Sequence, residues 1–235
     1  MRMKFKPWAR EELETSPFYI DTPEQYKNKW KNAFEKEQDL FLELGCGKGN
    51  FIAKISKEHQ ENNYIAIDLV DVMLGMAKRN VEVSYGIRES TAKQEIENEI
   101  EKEKIVKNLK LTRYDISRIS NIFGSEDEIK RIYINFCNPW PRGKHHKKRL
   151  THERQLEQYK NFLRGEIFFK TDDDNLFKES IKSFENCNYS IEKTTYDLEN
   201  EKNFWNGEEN IETEHEKMFT EQNIKIKALI ASYNK

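Results

Sequence analysis

The stretch L-F-L-E-L-G-C-G-K-G-N-F, Leu40 to Phe51, decides the fold. Its first five residues, apolar except for Glu43, form a run of strand type. Gly45, Gly47 and Gly49 then alternate through a turn, and the pattern predicts a helix from about Asn50. Strand, glycine-rich turn and helix N-terminus in that order cradle a nucleotide-like ligand, because residues without a Cβ let backbone N–H groups approach it closely. Taken alone, a tight strand-to-helix connection of any α/β protein would read the same way. Asn50 stands where G-x-G-x-x-G would need glycine, and Lys48 is followed by Gly49, so neither the dinucleotide fingerprint nor the P-loop is complete.

Working outward, a second strand from Tyr64 to Ile67 ends at Asp68, where an acid can take the two hydroxyls of a ribose. A helix follows over Val70 to Val83. Leu109 to Tyr114 is a third strand, ending at Asp115, and Arg131 to Phe136 a fourth, running into Cys137-Asn138-Pro139-Trp140-Pro141. The two prolines stop the ladder and stiffen the turn that presents Asn138 and Trp140. Glu43, Asp68, Asp115 and Asn138 therefore sit near the carboxyl ends of four successive strands, the edge at which open α/β sheets bind ligands. Directly after the turn, Arg142 to Arg149 holds five Arg/Lys and two His with no acid, which is an anion-facing segment.

The remaining elements complete an α/β sheet. Thr22-Pro23-Glu24-Gln25 opens a predicted helix with Tyr26, Trp30, Ala33 and Phe34 on one face. Thr151 to Leu163 is a helix before a turn at Gly165, and Glu166 to Lys170 returns as a strand into Thr171-Asp172-Asp173-Asp174. No His or Cys lies at ligand spacing from this triple acid, so it reads as the cap of a helix over Asn175 to Phe184, with Asp172 reserved for substrate and no metal expected. Tyr189 to Tyr196 and Ile224 to Tyr233 are closing strands, with a polar loop at Asp197 to Gly207 and a capping-box spacing at Thr213-Glu214-His215-Glu216. Met1 to Glu14 mixes cations with Phe5 and Trp8 and shows no period. Residues 1–20 read as an arm that is either disordered or ordered on RNA by charge and stacking. The Glu/Lys-dense residues 88–107 read as a solvated surface helix without chemistry.

Composition limits what the chain can do. At 235 residues it is long enough for one sizeable core, so 1–235 is expected to be a single domain. A net charge of −2 argues against non-specific coating of nucleic acid, and any such site must be local. Cys46, Cys137 and Cys187 are widely spaced with no C-x-x-C, which suits a reducing cytosol and indicates neither disulfides nor zinc. No run approaches a membrane span, so a soluble, cytoplasmic protein without membrane partners is expected.

Together, L-E-L-G-C-G-K-G-N-F, N-F-C-N-P-W-P, the basic K-H-H-K-K-R-L-T-H, F-K-T-D and the late T-E-H-E resemble the bacterial tRNA (guanine-N7)-methyltransferase family over nearly the whole chain, including the opening M-R-M-K-F-K-P-W-A. The resemblance implies a class I S-adenosylmethionine (SAM) methyltransferase fold. This is a Rossmann-like, mostly parallel open sheet with an antiparallel closing strand and helices on both faces. It also implies methyl transfer to N7 of a guanosine in the variable loop of tRNA. By motif position Glu43, Gly45, Gly47, Asp68, Asp115 and Asn138 would hold SAM, with Asn138 at the catalytic position. Arg142, Asp172, Thr213, Glu214, His215 and Glu216 would hold the guanosine. Lys144, His145, His146, Lys147, Lys148 and Arg149 would touch RNA. The family usually has Asp where this chain has Asn138 and Lys where it has Arg142, and 88–107 looks like an insertion.

The residues allow a mechanism of their own. In-line methyl transfer to a lone pair needs alignment and desolvation, and an acid such as Asp172 or Glu216 could accept from guanine N–H groups. Trp140 could pack beside the base. Two other readings stay open at this point: a nicotinamide-dependent oxidoreductase, which the broken fingerprint weakens, and a catalytically silent module that binds SAM and RNA. The sequence fits a monomer and a homodimer equally.

Overall fold

The computed structural model describes residues 6–88 and 105–233, and the strand at its centre is the one that leads into the glycine turn. This strand, β2 (Leu40–Leu44), pairs in parallel with β3 (Asn63–Asp68) on one side and β5 (Ile129–Asn135) on the other. From β3 the sheet continues to β4 (Leu109–Arg113) and then to a two-residue strand β1 (Tyr19–Ile20). From β5 it continues to β6 (Leu163–Thr171), β8 (Lys227–Ser232) and β7 (Ser190–Thr195). The order is β1-β4-β3-β2-β5-β6-β8-β7, with β8 antiparallel to both of its neighbours. Strand order reverses between β2 and β5. The ligand crevice of an open α/β sheet therefore lies above the carboxyl ends of these two strands, beside the glycine turn.

Period-two alternation divides the buried side chains between two cores. Leu42, Leu44, Ile65, Ile132, Ile134 and Phe169 face one core, closed by helix α4 (Glu153–Tyr159), helix α5 (Asp174–Asn186) and the fully buried Trp30, whose indole N–H donates to the Ile122 carbonyl at 2.7 Å. Tyr64, Ala66, Tyr133 and Phe168 face the other, under α2 (Asn50–Glu58), α3 (Asp71–Ser84) and the 198–226 segment. Glu43, Asn135 and Lys170 share the parity of this second face, so three polar residues stand in a row on it at the carboxyl ends of β2, β5 and β6. Truncating Trp30 to Ala would cost about 3–5 kcal/mol, the usual range for a large buried aromatic.

Several sequence expectations need correction. Residues 22–34 form two 3-10 turns, Pro23–Tyr26 and Trp30–Ala33, instead of one helix, because Asn28 adopts φ +63° between them and its backbone N–H is claimed by the Asp127 carboxylate. Gly165 lies inside β6. A Cβ there would sit 2.2 Å from the Lys130 carbonyl, so glycine marks a close backbone approach and not a turn. Pro7–Glu14 is a helix, α1, not an aperiodic tail. It buries Ala9 and Leu13 against α3, where Gly75 lets Trp8 and Ala9 come close, and Arg79 stacks over the Trp8 ring at 3.9 Å. Phe204 and Trp205, read as part of a polar loop, are buried, with Trp205 stacked on Phe168 at 4.8 Å. Met1 to Phe5 and residues 89–104 of the expected surface helix lie outside the described residues. Among the described residues no helix is long and apolar enough to cross a membrane.

Candidate active site

The glycine turn is pinned to β3 by its own backbone. Gly45 and Cys46 N–H both donate to the Ile67 carbonyl at 2.8 and 3.0 Å, which requires the left-handed φ of +77° at Gly45. Asp68 completes the turn. Its carboxylate accepts from Gly47 N–H at 3.0 Å with one oxygen and from Val70 N–H at 2.9 Å with the other, while burial pushes its pKa upward. Asp68 thus shapes the turn, and the second lone pairs of its oxygens remain for a ligand. At Gly47, φ +54°, a Cβ would meet nothing within 4 Å, so the backbone there faces open space.

Glu43 is 2% exposed. One carboxylate oxygen accepts from the Asn135 amide at 3.1 Å, and the other is buried with no hydrogen-bond partner among the described residues. Burial raises its pKa to about 8. A buried acceptor lacking a donor is rare in folded proteins, and at a sheet edge beside an open glycine turn it fits a cationic or N–H-bearing ligand. The residues present therefore fit SAM, whose sulfonium and ammonium supply positive charge. Asp115 is exposed at the end of β4 and caps the next turn by accepting from Ser117 N–H at 2.9 Å.

The proline-braced turn is more contorted than its sequence suggests. Phe136 and Trp140 take φ of +50° and +42° on either side of Asn138, a conformation that bulky residues rarely hold. What stabilises it is Asn138 itself, whose side-chain carbonyl accepts from Trp140 N–H at 2.9 Å. Pro139 is fixed from below by the Arg149 guanidinium, which donates to its carbonyl at 2.7 Å and pairs with Glu179. Arg149 is buried, so one of the six residues expected to touch RNA faces inward and braces the turn. Lys144, Lys147 and Lys148 are exposed on a 3-10 turn, Gly143–Lys148, with His145 and His146 half-buried, and Lys148 reaches over the Trp140 ring at 4.9 Å. Arg142 is exposed just before them.

The late motif returns to the same edge. Thr213 caps α6 (Glu214–Glu221) in a full capping box with Glu216. Glu214 receives Lys48 at 2.7 Å and Asn50 at 3.1 Å from the glycine turn, and His215 stacks on Phe136 at 5.9 Å. Glu216 does not present a free carboxylate. It is 5% exposed and accepts from Lys170, Asn210 and Thr213 N–H, so the expectation that it accepts from guanine is corrected. Asp172 ends β6 with its carboxylate half-buried and in no hydrogen bond to a described residue, whereas Asp173 caps α5 and Asp174 pairs with Lys227. The triple acid thus divides into substrate candidate, cap and ion pair. Sequence reading missed Lys48, Asn135, Lys170 and Lys227. A usable signal existed for two of them, since Asn135 and Lys170 are polar residues at positions whose strand parity points inward.

A parallel sheet of this order with one antiparallel strand, carrying a glycine turn and an acid at the end of the adjacent strand, defines the class I SAM-dependent methyltransferases. The fold likeness extends to the 16S rRNA methyltransferase KamB, TM-score 0.58 at 11% identity over 88% of this chain and 93% of that one. It extends also to an antibiotic-related methyltransferase, TM-score 0.55 at 14% identity over 91% and 94%. A family model described as "Putative methyltransferase" matches residues 37–229. Proteins named tRNA (guanine-N(7)-)-methyltransferase from Clostridium beijerinckii and Acetivibrio thermocellus are 52% and 44% identical, over 98% of this chain and 98% and 99% of theirs. The chain belongs to the tRNA (guanine-N7)-methyltransferase family. The oxidoreductase and silent-module readings are accordingly not favoured.

Proposed function

We propose that this enzyme methylates N7 of a guanosine in the variable loop of tRNA, with SAM as methyl donor. The observation that carries the reading is the meeting, at one sheet edge, of an open glycine turn beside an orphaned buried carboxylate and an exposed cationic turn beside a free acid at the end of β6. SAM supplies an electrophilic methyl on a sulfonium. Gly45, Gly47 and Asp68 would hold its nucleoside part, and the Glu43 carboxyl, which burial favours in its neutral form in the ligand-free chain, would ionise against its positive charge. Asp115 extends the same edge.

Guanine N7 offers a lone pair and no proton, so the chain needs no base at the reacting atom. Asn138 suits this requirement. Its carbonyl fixes the Trp140 turn, and the loss of negative charge relative to the family's usual Asp removes nothing the step needs. Asp172 is the acid placed to accept from the guanine N–H groups, which raises electron density on the ring. Arg142, Lys144, Lys147 and Lys148 would neutralise phosphates, a local attraction compatible with a chain of net charge −2. Incubation with labelled SAM and unmodified bulk tRNA, followed by nucleoside mass spectrometry and mapping, should give 7-methylguanosine in the variable loop. Label at another base, or none, would overturn the proposal.

A further inference from the structure

At the end of β6 the sheet holds two segments that the family resemblance sets around the guanosine, Asp172 and Thr213–Glu216, with two buried lysines, one on each face. Lys170 is 3% exposed, and all three of its donors are used: on Glu216 at 2.7 Å, on the Asn210 side-chain oxygen at 3.1 Å and on the Ile211 carbonyl at 3.1 Å. It therefore grips the start of α6 from the sheet, and the capping box passes that grip to Thr213. Lys227 lies opposite Thr171 in the β6–β8 register, so its side chain leaves the other face. It is 7% exposed, donates to the Asp172 carbonyl at 2.9 Å and pairs with Asp174 at 2.8 Å.

A buried ion pair such as Lys170–Glu216 adds little net stability, because desolvation offsets most of the attraction and an apolar pair of similar volume often serves as well. What such a pair does supply is a fixed geometry. We infer that Lys170 and Lys227 are positioning residues, which set the placement of the Thr213–Glu216 segment and of the Asp172 turn relative to each other across the end of β6. The inference rests on the reading of these two segments as the guanosine site, and it adds two residues to which that reading gives no role.

The test compares Lys170→Met, Lys227→Met and Lys227→Arg with the natural chain, by hydrogen exchange and by kinetics on tRNA. Exchange of residues 213–221 should quicken by at least about tenfold in Lys170→Met, and of 172–178 in Lys227→Met, while 50–58 stay protected. Calorimetric affinity for SAM should stay within about twofold, and kcat/KM for tRNA should fall by at least about tenfold with KM rising. Lys227→Arg, which keeps a donor at the edge of the core, should recover most of both effects. Folded variants whose exchange is unchanged would overturn the inference, as would faster exchange with kcat/KM intact or SAM affinity falling in step with activity. Should Lys170→Met fail to fold, the Lys227 pair decides the matter alone. If the natural chain transfers no methyl to tRNA, the proposed function fails, and the exchange data still decide whether the lysines hold the two segments.

Discussion

Ala at position 49 would drive a methyl group into helix α3. Gly49 holds φ +72°, and a Cβ built on it lies 2.5 Å from the Ala77 Cβ and 2.8 Å from the Ala77 Cα, so the obstruction is backbone and cannot swing aside. Left-handed backbone costs a non-glycine residue about 1–2 kcal/mol, and overpacking a tight contact adds about 1–3 kcal/mol, so Gly49→Ala should lose roughly 2–5 kcal/mol. Gly47 supplies the control within the same turn. Its φ is +54° but an added Cβ meets nothing within 4 Å, so Gly47→Ala should lose only the backbone share, about 1–2 kcal/mol. Urea melts of the two variants and the natural chain, read at constant slope, separate the two terms. The open space at Gly47 is where the cradle must admit SAM, so Gly47→Val should fold and yet show no calorimetric binding of SAM. If Gly47→Ala proves as destabilising as Gly49→Ala, or Gly47→Val binds SAM normally, the turn does not work as a cradle of this build.

Burial pushes the Glu43 pKa up to about 8 in the folded, ligand-free chain, against about 4.3 for an ordinary glutamate, so between these values folding takes up a proton that the unfolded chain has released. Its contribution to stability is complete below about 4.3 and is lost by up to about 1.4 kcal/mol per pH unit as pH rises toward 8. The stability of Glu43→Gln relative to the natural chain should therefore climb through that window in urea titrations, and a pH-independent difference would contradict the burial effect. Replacing Lys144, Lys147 and Lys148 with Ala should lower the salt slope of tRNA binding by about 0.7–0.9 for each phosphate no longer neutralised and leave SAM affinity unchanged. Arg149→Ala should instead lower thermal stability, by about 1.5–3 kcal/mol for its charge-assisted bonds, because it faces inward. Asn138→Asp should change turnover by less than about tenfold, since either side chain can accept from Trp140 N–H. Asn138→Ala should cost more, and a hundredfold or larger gain in the Asp variant would show that a carboxylate is needed there.

The strands that build the site were legible because each combines an apolar run with a polar residue at its carboxyl end, and because the glycine turn admits few backbones. Asp68, Asp115, Asn138 and Asp172 all stand where that pattern put them. Pairing across the fold was not legible. Nothing in K-H-H-K-K-R distinguishes Arg149 from its neighbours, because what turns it inward is a carbonyl at Pro139 and a carboxylate at Glu179, 30 residues away in sequence. Glu216 looked like a free acid for the same reason, since its partner Lys170 belongs to a strand 46 residues earlier. Helix α1 escaped notice because eight residues with two buried apolar side chains give almost no period, and its stability comes from docking beside Gly75. The 22–34 segment shows the converse. Its apolar residues have helical spacing, but a tertiary contact from Asp127 splits it into two turns.

Methyl transfer to guanine N7 requires the nitrogen lone pair, so exchanging that atom for a C–H should abolish it. Two transcripts of the same tRNA, one made with guanosine and one with 7-deazaguanosine, differ only in that N7 is exchanged for a C–H at every guanine, the acceptor included. Incubated with the enzyme and labelled SAM, the guanosine transcript should take up label and the 7-deaza transcript none, with comparable binding of both by filter retention. Label in the 7-deaza transcript would place the methyl on another atom and rule out N7 as the acceptor.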